Sequence, residues 1–349
     1  MPRTGIARFT LVFGAAALAA ALAVSAAGAS SSRKSNSTVS GAGSTFVAPL
    51  VNAWIGPASS DLGITLQYSA IGSGGGVNAI TNHQADFGAS DAPLTQFSPT
   101  CTTCVQIPWA LAGTAVMYRL DGVKNHLHMT GQVLAKIYMG QITNWSNSAI
   151  QKLNPGVNLP SQNITVVHRS DSSGTSYNFT DYLSHVSSAW RNGPGTGTSV
   201  AWPTGIGGKG SSSVANLTHQ TNGAIGYADA EFAHKAHLAM FSMKNRAGHF
   251  VFVNLKSIKA ASVLDTKPAA DGSLSIVNPP KSAKYANAYP ICTYTYVDVQ
   301  KSSGSSAASL KKLIGWAITT GQTYGPKLFF VPLPAPVVTF DKNQIKKIH

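Results

Sequence analysis

The run VVHRSDSSGTSYNFTDYL, Val166 to Leu183, sets an arginine, an aspartate, three serines, a glycine and a threonine between a short apolar stretch and an amphipathic one. Arg169 closes the apolar stretch, and its planar guanidinium can grip an oxyanion with two parallel N–H bonds. Ser172, Ser173, Gly174 and Thr175 follow at once and add hydroxyl and backbone donors. Asp171 is spaced either to hold the far edge of that guanidinium or to cap the helix that follows. A second carboxylate, Asp91 in DFGASDAPL, is harder to place beside an anion. It repels one, unless the anion still carries a proton that the carboxylate can accept.

Donors of this kind need strands that end where helices begin, and the sequence repeats that pattern. Ile64, Leu66 and Tyr68 alternate as in a strand, and AIGSGGGVNAI then makes a turn whose Val77 and Ile80 open a helical face. Ile164, Val166 and Val167 form another strand, after which Ser176, Phe179 and Leu183 recur at helical spacing. In GAGSTFVAPLVNAW, Phe46, Leu50 and Trp54 fall four apart, Ser44 or Thr45 is available as a cap, and Pro49 is tolerable only in the first turn. Strands alternating with helices predict an α/β fold with a mostly parallel sheet. Each helix start exposes unpaired N–H groups and a positive dipole end, so each turn is a potential anion site.

The composition of the 349 residues narrows the class. They are 44% apolar, which suits a globular chain, but only 11% are charged, so Ser, Thr, Asn and Gln must cover much of the surface. Arg3 and Arg8, the apolar Leu11 to Val24 and the small residues Ala27-Gly28-Ala29 predict a cleaved signal peptide over 1–29, and the polar 30–40 reads as a flexible leader. Without residues 1–29 the formal charge falls from +14 to +12. No basic run exceeds Lys311-Lys312 or Lys346-Lys347, so a solvated basic surface is expected and not a nucleic-acid groove. Cys101 and Cys104 lack a second pair or a neighbouring histidine to complete a metal site. In an oxidising compartment they are expected as a disulfide, with Cys292 left over or competing for a partner.

Catalysis finds little support. His168 and Arg169 are adjacent, so on a strand they point to opposite faces. A G-x-S-x-G elbow and a metal-ligand cluster are both missing, and GIGGKGSSS around Lys209 lacks the first glycine of a nucleotide loop. A binding protein is therefore expected, with no cofactor and no metal.

In order along the chain, GAGSTFVAPL, YSAIGSGGGV, DFGASDAPL, MGQITNWSNSAIQKLNPG, VVHRSDSSGTSYNFTDYL, WPTGIGGKGSSSVA and GAIGYADAEFA closely resemble the phosphate-specific substrate-binding proteins of bacterial phosphate ABC transporters, the PstS family of the periplasmic binding protein superfamily. The similarity runs from about Gly41 into YPICTYTYVDVQ and LIGWAITTGQTYG. It implies a two-lobe periplasmic-binding-protein fold of type II, each lobe a mixed, mostly parallel sheet flanked by helices, with the ligand in the cleft between them. Lobe I would be 41–115 plus 293–349 and lobe II 116–292, with crossovers near Thr114 to Tyr118 and Ile291 to Tyr296. Carried over position by position, the phosphate ligands would be Thr45, Phe46, Ser73, Asp91, Arg169, Ser173, Gly174 and Thr175, with Asp171 supporting the arginine.

The resemblance further implies a monomer that captures inorganic phosphate outside the cytoplasm and delivers it, by lobe closure, to the permease subunits of an importer. Phosphate keeps a proton near neutral pH and sulfate does not, so Asp91 would accept from the first and repel the second. Arsenate or sulfate as the ligand, or an exported scaffold that has lost transport, are the alternative functions. No lipobox cysteine precedes Cys101, which implies a periplasmic or extracellular protein that is either released or held to the cell by something the sequence does not show. The Cys101/Cys104 pair and the basic HFVFVNLKSIKAAS region stand outside the family pattern.

Overall fold

The computed structural model describes residues 37–123 and 126–349, so the expected signal peptide lies outside the described residues. The first element is β1 (Ser37–Gly43), which runs into α1 (Ala48–Leu62), β2 (Ile64–Ser69), α2 (Ser73–Thr81) and β3 (Phe87–Ser90). The leader expected over 30–40 is therefore too long by four residues. Ser37 to Ser40 pair in parallel with Ile64 to Gln67, Val39 is fully buried, and the Ser40 N–H and hydroxyl both donate to Asp86 at 2.8 Å. A polar run read as solvated chain is instead satisfied by a sheet neighbour and one buried valine.

A long strand, β4 (Cys104–Tyr118), then leads to β5 (His128–Met129), α3 (Gly131–Tyr138), α4 (Ser148–Gln151), β6 (Thr165–Arg169), α5 (Gly174–Val186) and α6 (Ser188–Asn192). After these come β7 (Ile206–Gly208), α7 (Gly210–Gln220), β8 (Ala224–Asp229), α8 (Ala230–Lys235), β9 (Ala239–Met240), β10 (Ser242–Lys244), β11 (Phe250–Val251) and α9 (Leu255–Ser262). The return strand β12 (Cys292–Gln300) and helices α10 (Ala307–Ala317) and α11 (Ala335–Ile345) complete the chain.

One mixed sheet spans both lobes in the order β2-β1-β3-β12-β4-β8-β6-β7, with β9 also on β4, while β5, β10 and β11 form a small separate sheet. The β1/β2, β1/β3, β6/β7 and β6/β8 pairs are parallel, and β12 and β4 are antiparallel to their neighbours in the large sheet. β4 is the shared element. Cys104 to Gly113 pair with β12, and Thr114 to Tyr118 pair with β8. Every residue of β4 from Val105 onward is buried, as expected of a strand covered on both faces.

Each lobe carries its own aromatic core. Trp54, Trp109 and Trp316 meet edge to face in the first, where Trp54 Nε1 donates to Gly321 O and Trp109 Nε1 to Thr295 Oγ1. In the second, Phe179 stacks on Tyr227 at 4.2 Å with Tyr138 edge-on to Phe179. Such ring pairs contribute about 0.5–1.5 kcal/mol each beyond burial, which fixes α5 against β8. Cys101 and Cys104 are joined in a disulfide, and Cys292 is free and buried.

This packing leaves the carboxyl ends of the parallel strands facing one crevice, the usual ligand position in open α/β sheets. β1 ends at Gly43 before Ser44, β3 at Ser90 before Asp91, β6 at Arg169 and β7 at Gly208.

Two further acids are buried in the large sheet and in the last helix. Asp298 on β12 and Asp341 on α11 are fully buried, and neither oxygen of either has a hydrogen-bond partner among the described residues. Burial pushes the Asp341 carboxyl up to about 9 from its ordinary 3.8. The folded state thus prefers the neutral acid, so a destabilising contribution is absent below about pH 4 and grows as pH rises toward 9. Calorimetric unfolding of Asp341→Asn should show a higher Tm than the parent at pH 8 and no difference at pH 4. A gap that widens toward acid would contradict this.

Candidate anion-binding site

Arg169 stands at the end of β6, 3% exposed, and its backbone N–H is held by the Tyr227 hydroxyl at 3.1 Å. Its Nε donates to Asp171 Oδ1 at 2.7 Å and its Nη2 to Oδ2 at 2.5 Å, a two-pronged pair. Nη1 turns the other way, toward Thr175 Oγ1 at 3.4 Å. Asp171 is therefore the arginine's partner and not the helix cap. That role falls to Ser173, whose hydroxyl accepts from Ser176 N at the start of α5. Burial pushes the Asp171 carboxyl up, but the Arg169 hydrogen bonds and charge, with the Gly210 N–H, more than offset it and hold the group below its ordinary range.

Asp91 faces this arrangement from the other lobe, 2% exposed. The Ser44 hydroxyl donates to its Oδ1 at 2.5 Å, and those of Ser73 and Thr175 reach its Oδ2 at 3.4 Å. Burial raises this carboxyl to about 6, against the opposing pull of Ser44, of the Arg169 charge and of the two other hydroxyls. Asp91 is thus ionised near neutral pH and ready to accept one proton.

The structure brings Thr45, Ser73, Asp91, Arg169, Asp171 and Thr175 into one hydrogen-bonded network, with Phe46, Ser173 and Gly174 beside it. Ser73 begins α2, and Ser173, Gly174 and Thr175 begin α5, each buried. The first-turn N–H groups of α5 have no acceptor within the helix. Thr45 and Phe46 are held differently from a free donor loop: Phe46 N donates to Ser44 Oγ at 3.0 Å, and Thr45 Oγ1 meets Ser211 across the cleft. His168 points elsewhere, stacked on Trp202 at 4.8 Å.

Several functional residues escaped the sequence reading. Ser44 was legible only as a possible cap, yet it is the shortest partner of Asp91. Gly210 and Ser211, at the start of α7, lie in the GKGSSS stretch that failed as a nucleotide loop, and Gly210 N donates to Asp171 Oδ1 at 3.1 Å. Asn178 in α5 accepts from Thr114 Oγ1 at 2.6 Å and donates to Cys292 O at 3.1 Å, so it ties the helix to both crossover strands. An asparagine within an amphipathic helix gives no local sign of that role.

Connectivity closes into a circuit. Ser44 reaches Asp91, Asp91 reaches Thr175, and Thr175 reaches Arg169. Arg169 is held by Asp171, Asp171 by Gly210, and Ser211 returns to Thr45, the neighbour of Ser44. Two backbone approaches close the lobes on it. Gly74 N donates to Ser172 O at 3.0 Å, and a Cβ at Gly174 would meet Asp91 N at 2.6 Å and Ala92 N at 2.8 Å. Gly174→Ala should therefore hold the lobes apart, seen as a larger radius of gyration in small-angle scattering with an unchanged far-UV spectrum. An unchanged radius would contradict the close approach.

Residues 28–320 match the model of the PBP superfamily domain. The chain is 38% identical to the phosphate-binding protein PstS of Xylella fastidiosa over 86% of this chain and 82% of that one. It is 35% identical to the phosphate-binding protein PstS of Haemophilus influenzae over 88% and 92%. Its fold superposes with a TM-score of 0.70 on PfluDING, a high-affinity periplasmic phosphate-binding protein solved with phosphate, at 21% identity over 88% of this chain and 93% of that one. On the strength of the family match and of these relatives, the chain belongs to the PstS family of phosphate-binding proteins within the periplasmic binding protein superfamily.

Proposed function

We propose that the protein captures inorganic phosphate outside the cytoplasm and presents it, in the closed state, to the permease subunits of an ABC-type phosphate importer. The observation that carries this reading is Asp91, a buried carboxylate near Arg169 and three hydroxyls. A site for any fully deprotonated anion has no use for such a group. Phosphate, which retains a proton, uses it as an acceptor, and leaving that acceptor unpaired penalises sulfate.

In this reading Arg169 meets the charge of the anion. Ser73, Ser173, Gly174, Thr175, Thr45 and Phe46 donate through hydroxyls or backbone N–H groups as the lobes close, which requires small rearrangements of the Thr45 and Phe46 contacts. Lobe I comprises 37–115 with 293–349 and lobe II 116–292, and the hinge lies where β4 exchanges β12 for β8 and where β12 begins. Closure is driven by the difference in anion affinity between the two states. The protein acts by binding and not by catalysis, in keeping with the names of its relatives. Export follows from the signal over 1–29, and no helix among the described residues is long and apolar enough to cross a membrane.

Two outcomes test the reading. After bound ligand is stripped by unfolding and refolding, equilibrium dialysis with labelled phosphate should show tight uptake. Arg169→Ala should weaken it by about 2–5 kcal/mol, because the buried Asp91 and the part-buried Asp171 are left as charges without their cation. Equal uptake by the variant would remove Arg169 from the site. Sulfate should enter only in acid: as pH falls through about 6 Asp91 gains a proton and becomes a donor, so sulfate affinity rises. Sulfate binding that is flat between pH 8 and 5 would contradict the role given to Asp91.

A further inference from the structure

The Thr45 hydroxyl has one proton and two lone pairs. Ser211 N–H, from the first turn of α7 in the opposite lobe, fills one lone pair at 3.1 Å. Ser211 Oγ lies 2.9 Å from the same oxygen, with either atom able to donate. Both residues are buried, Thr45 at 9% and Ser211 at 1% exposure. They line a cavity of about 310 Å³ together with Lys209, Gly210, Phe232 and Lys235.

The two proton arrangements are not equal once an anion is present. If Thr45 donates to Ser211, the lone pair left over repels the anion. If Ser211 donates both its N–H and its O–H, the lone pairs of Thr45 are filled and its single proton is free for the anion. Resting on the phosphate reading of the site, we propose that Ser211 is a positioning residue that makes Thr45 a donor toward the anion and latches the two lobes in the closed state. The preceding N–H, of Gly210, donates to Asp171, which holds Arg169, so the same helix start braces both the arginine and the threonine. Because the favourable arrangement is selected only by a bound anion, the contribution of Ser211 falls on the loaded, closed state and slows release.

The test is stopped-flow release of inorganic phosphate from the whole exported chain, with Ser211→Ala, Ser211→Thr, Thr45→Val and the Ser211→Ala/Thr45→Val double variant. Ser211→Ala should release phosphate about five- to twentyfold faster, the range of one hydrogen bond to a group contacting a charge. Ser211→Thr should restore slow release, and the double variant should be no faster than Thr45→Val alone. Release from Ser211→Ala at the parent rate, or additive effects in the double variant, would overturn the proposal. A parent chain that takes up no phosphate would sink the phosphate reading instead, and amide exchange at Ser211 then decides the latch. Faster exchange at that amide in Thr45→Val supports the tie between the lobes, and unchanged exchange overturns it.

Discussion

A guanidinium buried with its charge intact is the constraint on which the rest of this molecule depends. Arg169 is almost completely removed from water, and a lone buried cation would be several kcal/mol too costly to keep. Asp171 offsets that cost with two hydrogen bonds, which fixes the plane of the guanidinium and leaves Nη1 directed at Thr175 and the crevice. Everything near the site follows from keeping this pair in place. Tyr227 fixes the backbone of Arg169, the Phe179/Tyr227 stack fixes α5, and Asn178 ties α5 to the strands that cross between the lobes.

Charge bookkeeping shows why neutral donors matter as much as the arginine. Among the described residues, the hydrogen-bonded network joins one cation and two carboxylates, Arg169 against Asp171 and Asp91, so side-chain charge alone does not attract an anion. The attraction has to come from oriented hydroxyls and from the starts of α2 and α5, where unpaired N–H groups and the helix dipole act without strong screening. Such a site rewards a ligand that brings its own proton for Asp91. Selectivity then rests on geometry and protonation, and the large basic excess of the chain serves at most to steer anions toward the cleft.

Much of this was legible because the sequence repeats one local event, a strand ending in small polar residues that start a helix. That pattern marked the turn that holds Ser73 and the Arg169 to Thr175 run, and the resemblance to the family singled out Ser73 and Asp91 as ligands. The pattern left Asp171 undecided between cap and ion pair, since both roles demand an acidic residue at nearly the same spacing. Ser44 with Asp91 and Thr45 with Ser211 were out of reach, because the partners are 47 and 166 residues apart: the pairing of β1 with β3 brings the first two together within one lobe, and the approach of the two lobes brings the second two together. Asp298 was hidden for another reason. β12 is buried on both faces, so alternation carries no information about which way a residue points. Ser37 to Ser40 misled because the polar start of a paired strand and a solvated leader have the same composition.

The central claim is that Asp91 reads the proton on the anion, and calorimetric titration of the stripped chain with phosphate and then sulfate at pH 8, for the parent and for Asp91→Asn, tests it most directly. The account predicts that the parent binds phosphate and gives no sulfate heat, whereas Asp91→Asn binds phosphate more weakly and admits sulfate. Sulfate binding by the parent comparable to that of phosphate, or full discrimination retained in Asp91→Asn, would contradict it.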